Sequence, residues 1–341
     1  MSPGKRMQPV LQIIIVLFFM PLLVTGCSSI KKLFKDCAIV FRDDFASMDS
    51  QGRITIQFKL LTCENEPVPN LDDANYSDHI SLLEDGTEIS QHESKYSIVG
   101  VTQAYEFDTI LLLDMSGSIV TSEDFSILIS SAQDFVVEIT PGKNVAVYTF
   151  DGRPGYEIER VVDFTSNVID LAMGIQRLES YVPEDTSTNL YGAIEEALHI
   201  LDERVTQKAA SRLYSASLVV FTDGTHQAGS GRRGYPVFED VMTEINESGY
   251  AVYTIGLGGE VNEQELETLG QAGSVLAKNA NDLPDAFDVL VDYANSSYVV
   301  TYCSPKRAGN HTLQITVDWK GMEGIYSYEF DGTNISASCT P

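Results

Sequence analysis

Residues 107–118 read Phe107-Asp108-Thr109-Ile110-Leu111-Leu112-Leu113-Asp114-Met115-Ser116-Gly117-Ser118. An apolar run of strand length that does not alternate with polar residues is expected of a strand covered on both faces. Comparable runs follow at Val145–Phe150, Leu218–Phe221 and Ala251–Ile255, with helical periods between them. Phe125, Leu128, Ala132, Phe135 and Val136 form one apolar helical face, and Leu190, Ile194, Leu198 and Leu201 form another. The first of these helices is predicted to open at Thr121 or Ser122, with Glu123 and Asp124 in its first turn, where they suit the helix dipole. Strand–helix alternation predicts an α/β fold, a doubly wound and mostly parallel sheet. Ligands in such sheets bind beyond the carboxyl ends of the strands, so the loops there are the place to look for chemistry.

Three of those loops carry oxygen donors. The first strand ends in Asp114, Ser116 and Ser118. The Leu218–Phe221 strand ends in Thr222-Asp223-Gly224, and Asp185-Thr186-Ser187-Thr188-Asn189-Leu190-Tyr191 stands just before an amphipathic helix. The region resembles a von Willebrand factor A domain with a metal-ion-dependent adhesion site. The resemblance matches the family's Asp-x-Ser-x-Ser to Asp114, Ser116 and Ser118, its second-loop threonine to Thr188 and its Thr-Asp-Gly aspartate to Asp223. It runs on to Val252-Tyr253-Thr254-Ile255-Gly256, which is similar to the family's fifth strand. The family usually has small residues ahead of the threonine, where this chain has Asp185-Thr186-Ser187; Thr186 therefore stays open as a competitor for Thr188. The resemblance implies a protein-binding site at which a partner's Asp or Glu completes the coordination of the ion.

The donor set suits a hard divalent cation. Two carboxylates and three hydroxyls offer only oxygen, and Mg²⁺ takes such ligands while keeping waters, so it is the first choice, with Mn²⁺ or Ca²⁺ as substitutes. Arg153, Arg232 and Arg233 fall in loops on the same predicted face, either as positive relief for an acidic ligand or as plain solvated loop residues.

Enzymatic motifs are absent: there is no Gly-x-Ser-x-Gly elbow, Walker loop or His-Glu-x-x-His. His79, His92, His199, His226 and His311 are scattered, and only His226 follows a metal loop. The chain is expected not to be an enzyme. With 49 acidic against 22 basic residues its formal charge is −27, which argues against nucleic acid as a partner.

The ends of the chain read differently. Lys5 and Arg6 precede the apolar run Ile13–Met20 and then Leu23-Val24-Thr25-Gly26-Cys27, the pattern of a secretory signal. The last five residues resemble the lipobox of bacterial lipoproteins, which implies cleavage and lipidation at Cys27 and, with Ser28 next, the outer membrane of a Gram-negative cell. An ordinary cleaved signal and an uncleaved anchor helix are the alternatives. Cys37, Cys63, Cys303 and Cys339 then form an even set in an oxidising compartment, with all three pairings open.

Strand-like alternation marks Ile54, Ile56, Phe58 and Leu60 near one end and Leu313, Ile315, Val317 and Trp319 near the other. Cys37–Phe41, Ile80–Leu83, Ser297–Cys303 and Ile325–Phe330 are further strand candidates. The expected organisation is a signal peptide (1–26), an N-terminal β segment (27–104), the α/β domain (105–296) and a C-terminal β segment (297–341). The two β segments are expected to build one flanking β-sandwich, two separate small β domains being the alternative. The function expected is a metal-dependent, adhesion-type protein-binding module anchored to the cell envelope by its lipid. The alternative is a periplasmic assembly or scaffold subunit that uses the same site for a fixed partner. The short link from the last helix, about Leu283–Ala294, into the strand at Ser297 suits transmission of a shift between the two parts.

Overall fold

The computed structural model describes residues 38–69, 71, 79–89, 96–104, 106–123, 125–153, 158–208, 214–227, 235–259, 261–306, 308–335 and 339. All of them lie in one unit, Cys37–Pro341. The signal segment, Cys27, Cys37, Arg232 and Arg233 lie outside the described residues. Among the described residues no helix is long and apolar enough to cross a membrane.

The chain enters through strands β1 (Ile39–Met48), β2 (Arg53–Thr62), β3 (Ile80–Glu84), β4 (Thr87–Glu88) and β5 (Ser97–Gly100). It leaves through β12 (Ser297–Cys303), β13 (Asn310–Trp319) and β14 (Met322–Asp331). These strands form two four-stranded sheets, ordered β1-β2-β12-β5 and β14-β13-β3-β4. Each sheet mixes strands from the two ends of the chain: β12 pairs antiparallel with β2, and β13 with β3. Ile54, Ile56, Phe58 and Leu60 of one sheet and Leu82, Leu313, Ile315 and Val317 of the other meet in a single hydrophobic cluster. The period of two puts these side chains on one face of each strand, as burial requires. Cys303 and Cys339 are joined in a disulfide with Cα atoms 5.6 Å apart, and Cys63 is disulfide-bonded as well.

Between these strands lies a six-stranded sheet of order β11-β10-β9-β6-β7-β8. Its members are β6 (Glu106–Asp114), β7 (Lys143–Phe150), β8 (Glu159–Thr165), β9 (Tyr214–Thr222), β10 (Ala251–Leu257) and β11 (Gly273–Ala277). Neighbours run parallel except β8, which is antiparallel to β7. The uninterrupted apolar run of β6 is explained by two cores: Leu111 and Leu113 enter one, Ile110 and Leu112 the other.

The α-helices that follow β6 among the described residues are α1 (Gly117–Val120), α2 (Phe125–Ile139), α3 (Val168–Gln176), α4 (Leu190–Lys208), α5 (Phe238–Ser248), α6 (Glu263–Leu269) and α7 (Leu283–Ala294). Leu128 and Phe135 of α2 and Leu283 and Phe287 of α7 close one face; Ile194 and Leu198 of α4 and Val241 of α5 close the other. Fully burying each such side chain contributes roughly 1.5–3 kcal/mol, so helix and sheet hold one another in place.

One helix boundary differs from expectation. Thr121 and Ser122 do not open α2, which begins at Phe125 without an acidic residue in its first turn. They close α1 instead. Thr121 Oγ1 donates to the Gly117 carbonyl at 2.7 Å, and the Ser122 N–H donates to the Ile119 carbonyl at 3.1 Å. The Ser122 carbonyl in turn accepts the Phe125 N–H at 3.3 Å, so the chain passes from that turn into α2 with Glu123 before the helix.

β6 is the pivot of the sheet: the chain passes from it to β7 on one side, and β9 lies on the other. The carboxyl ends of β6 and β9 therefore flank a topological switch point, where the loops diverge and leave a crevice.

Candidate metal centre

β6 carries Asp114 to the crevice and buries it completely. One carboxylate oxygen, Oδ1, accepts the Ser116 N–H at 2.9 Å, which turns the chain sharply after the strand. The other, Oδ2, accepts the Thr222 hydroxyl at 2.6 Å, tying β6 to the end of β9. Thr222 Oγ1 accepts the Gly224 N–H in turn at 3.2 Å, so it also shapes the turn that presents Asp223. Ser116 Oγ lies 3.3 Å from Ser118 Oγ, and Ser118 Oγ donates to Asp223 Oδ1 at 2.9 Å. Asp114, Ser116, Ser118 and Asp223 thus form one connected set across two loops.

Thr188 comes from a third loop and is buried. Its carbonyl accepts the Gln227 N–H at 2.9 Å, and its Oγ1 lies 3.7 Å from where a Cβ on Gly224 would stand. Its hydroxyl therefore borders the Asp223–Gly224 turn. Thr186 is placed otherwise. Its carbonyl accepts the Gly117 N–H at 3.0 Å, and its Cβ lies 2.8 Å from where a Gly117 Cβ would be, so Thr186 packs on the first loop with its side chain exposed. Any side chain at Gly117 would part these two loops.

The loop that carries Thr188 is held by a residue the sequence analysis passed over. Asp151, buried just beyond β7, accepts from the backbone N–H (3.0 Å) and Nε (2.9 Å) of Arg153 through Oδ1. Its Oδ2 accepts the Glu184 N–H at 3.0 Å and the Asp185 N–H at 3.4 Å. Its carbonyl accepts the Asn189 N–H at 3.0 Å. Asp185 Oδ1 accepts both the N–H and the hydroxyl of Ser187, at 2.9 and 2.8 Å, which organises the turn leading to Thr188. Asp151 lies beyond the carboxyl end of a strand, the place where such residues are to be sought, and that position was the signal for it.

Arg153 is not a plain solvated loop residue. It is ion-paired to Asp151 at 2.9 Å and lies within 3.9 Å of Glu159 and 3.8 Å of Glu184, with only 15% of its side chain exposed. Carboxylates of its own loops already neutralise it. His226 is drawn in beside Tyr191: the rings stack at 4.0 Å, and the Tyr191 N–H donates to His226 Nδ1 at 3.4 Å. The Tyr191 hydroxyl donates to Glu265 Oε1 at 2.7 Å. Burial, that hydrogen bond and the charges of Glu265 and Glu239 hold the Tyr191 phenol well above its ordinary pKa.

Burial is also the main cause that lifts the Asp114 carboxyl to about 7, with the charge of Asp223 adding to it and the hydrogen bonds from Thr222 and Ser116 opposing it. Among the described residues no group of three or more His, Cys, Asp and Glu side chains is arranged to hold a metal. The set of two carboxylates and three hydroxyls from Ser116, Ser118 and Thr188 is all oxygen and fits a hard cation better than zinc or copper.

A sequence model of the von Willebrand factor type A domain matches residues 108–289, just over half of the chain. The chain belongs to the von Willebrand factor type A domain family. Among curated proteins, the collagen alpha-1(VI) chain of Gallus gallus is 27% identical over 176 residues, covering 50% of this chain and 16% of the collagen chain. This von Willebrand factor A protein therefore matches only a small part of that relative's length. Among solved structures, proximal thread matrix protein 1 from the mussel byssus, with a zinc-occupied MIDAS motif, is 17% identical with a TM-score of 0.44. That match covers 62% of this chain and 49% of the mussel one. Manganese-loaded TRAP protein of Plasmodium vivax is 13% identical with a TM-score of 0.43, covering 70% and 97% respectively.

Proposed function

We propose that the chain is a divalent-cation-dependent protein-binding module of the cell envelope. In this reading Asp114, Ser116, Ser118, Thr188 and Asp223 hold the ion, Mg²⁺ first and Mn²⁺ or Ca²⁺ in its place. The observation that carries it is the meeting of two carboxylates and two serine hydroxyls from loops 105 residues apart, closed by the 2.9 Å bond between Ser118 and Asp223. Hydroxyl ligands bring no charge, so an ion held by two carboxylates keeps electrophilic character. The ion would supply a point of attachment for an Asp or Glu of the partner protein; the chain's own residues fix where that acid must come. No catalytic step belongs to this reading, in which both carboxylates and the three hydroxyls serve as ligands of the ion.

The two four-stranded sheets serve as a sandwich-like stalk, and Cys27 carries the lipid that anchors it at the outer membrane of a Gram-negative cell. The shared hydrophobic cluster supports the stalk. The lipobox-like sequence supports the anchor.

A pull-down from envelope extract with immobilised protein, with and without EDTA, tests the function. The expected result is a partner retained in Mg²⁺, released by EDTA and lost with Asp114→Ala or Asp223→Ala. Partner capture indifferent to EDTA and to both substitutions would count against it.

A further inference from the structure

Beside the candidate metal centre lies a second concave site. It is a pocket of 240 Å³ lined by Phe238, Asn262, Gln264, Glu265 and Thr268. It is smaller than the roughly 300–1,000 Å³ typical of cofactor and drug-sized ligand sites, but adequate for one side chain. The route from the centre to the pocket is short. Asp223 and His226 are three positions apart, about 11 Å of chain at most. His226 stacks on Tyr191, Tyr191 donates to Glu265, and the Phe238 ring meets Tyr191 edge-on at 6.0 Å.

The lining chemistry favours a cation. Glu265 is held in place by the Tyr191 hydroxyl on Oε1 and by Asn262 Nδ2 on Oε2 at 3.2 Å, while its own N–H donates to Asn262 Oδ1 at 3.3 Å. An ionised carboxylate has about four lone-pair positions, so these two donors leave acceptor capacity. The Phe238 ring adds a π face, and Asn262, Gln264 and Thr268 add side-chain oxygens.

The electrostatics of the surrounding loops lead to the same conclusion. The described acidic residues whose charges act on Tyr191, beside the pocket, are Glu265 and Glu239, on a chain of formal charge −27. Arg153 is already neutralised by Asp151, Glu159 and Glu184. A basic side chain of a partner segment would meet these carboxylates favourably.

We propose that this pocket is a second subsite of the partner-binding face, taking a Lys or Arg side chain from the same segment that presents the metal-coordinating acid. The inference rests on the metal-dependent reading above. An extended segment advances about 3.3 Å per residue, so one segment can present both side chains at a fixed offset.

The test is a random-peptide display library, panned on the purified chain in Mg²⁺ and eluted with EDTA. The expected pool is enriched in Asp or Glu together with Lys or Arg at a fixed offset. Panning on Glu265→Gln, and separately on Phe238→Ala, should keep the acidic residue and lower the basic enrichment about tenfold, the size of effect expected when one partner of a charge pair is removed. Glu265→Gln keeps the shape of the side chain, and circular dichroism confirms that each variant is folded. Acidic enrichment without a basic residue, or basic enrichment unchanged in both variants, overturns the subsite and leaves the metal reading standing. A pool with no acidic enrichment overturns the metal reading, and the subsite with it.

Discussion

Asp151 offers the sharpest test of how the metal face is assembled, because it is not among the proposed ligands and yet holds the loop that carries Thr188. Replacing it with alanine removes a fully buried carboxylate that accepts three hydrogen bonds at 2.9–3.0 Å and a fourth at 3.4 Å. Breaking a buried ion pair by deleting one partner typically costs about 3–5 kcal/mol. The lower end applies here, since Arg153 keeps Glu159 and Glu184 within 4 Å and is 15% exposed. Asp151→Ala should therefore destabilise the chain by about 3 kcal/mol in urea unfolding. It should also loosen Thr188. Residues that orient metal ligands are worth roughly 10- to 100-fold in affinity, so Mg²⁺ binding measured by calorimetry on the folded variant should weaken by that factor. A loss under about 1 kcal/mol, the scale of a surface pair, together with unchanged Mg²⁺ affinity would refute the assignment.

Gly152, next in the chain, stands where a Cβ would lie 1.9 Å from Ser187 Oγ and 2.7 Å from Asp185 Oδ1. Gly152→Ala should cost about 1–3 kcal/mol in the same unfolding assay, since the turn must move to admit the methyl. His311 has Asp85 Oδ2 at 2.8 Å from Nδ1 and the Ala308 carbonyl at 2.8 Å from Nε2, and these bonds, the Asp85 one first, raise its pKa. A raised folded-state pKa gives a contribution that is complete below the unfolded value and lost as pH rises through the folded one. The thermal-midpoint gap between wild type and His311→Gln should thus be wider at about pH 5.5 than at about pH 8.5. The Cys303–Cys339 bridge spans 36 residues, so Cys303→Ser should lower stability by about 3–4 kcal/mol in non-reducing urea titrations.

Where local pattern decides structure, the sequence was legible. The alternation of Ile54, Ile56, Phe58 and Leu60 gives β2 because one face is buried, and the unbroken apolar run Ile110–Leu113 gives a central strand because both faces are. The Leu283–Ala294 helix follows from its apolar period in the same way. Two cases show where the sequence was not legible. β8, Glu159–Thr165, is an antiparallel edge strand with no residue fully buried, so its sequence carries neither alternation nor an apolar run. The start of α2 was misplaced because Thr121 and Ser122 suit a helix cap in isolation, whereas their partners, Gly117 and Ile119, lie behind them.

At the candidate site, Asp114, Ser116, Ser118 and Asp223 were legible as strand-end residues. The choice between Thr186 and Thr188 depends on which side chain faces Gly224, a contact between distant loops. Asp151 stood at a legible strand end, but its role escaped because the amides held by its Oδ2 lie 33 and 34 residues away.

The central claim is that the crevice between β6 and β9 takes up a hard divalent cation, and isothermal titration of the purified chain with Mg²⁺ tests it most directly. The expected result is saturable binding of one ion per chain, abolished by Asp114→Ala and by Asp223→Ala, with stability raised by about 2.7 kcal/mol at a hundred times the dissociation constant. A wild-type chain that takes up neither Mg²⁺ nor Mn²⁺, or one whose uptake both substitutions leave intact, would contradict it.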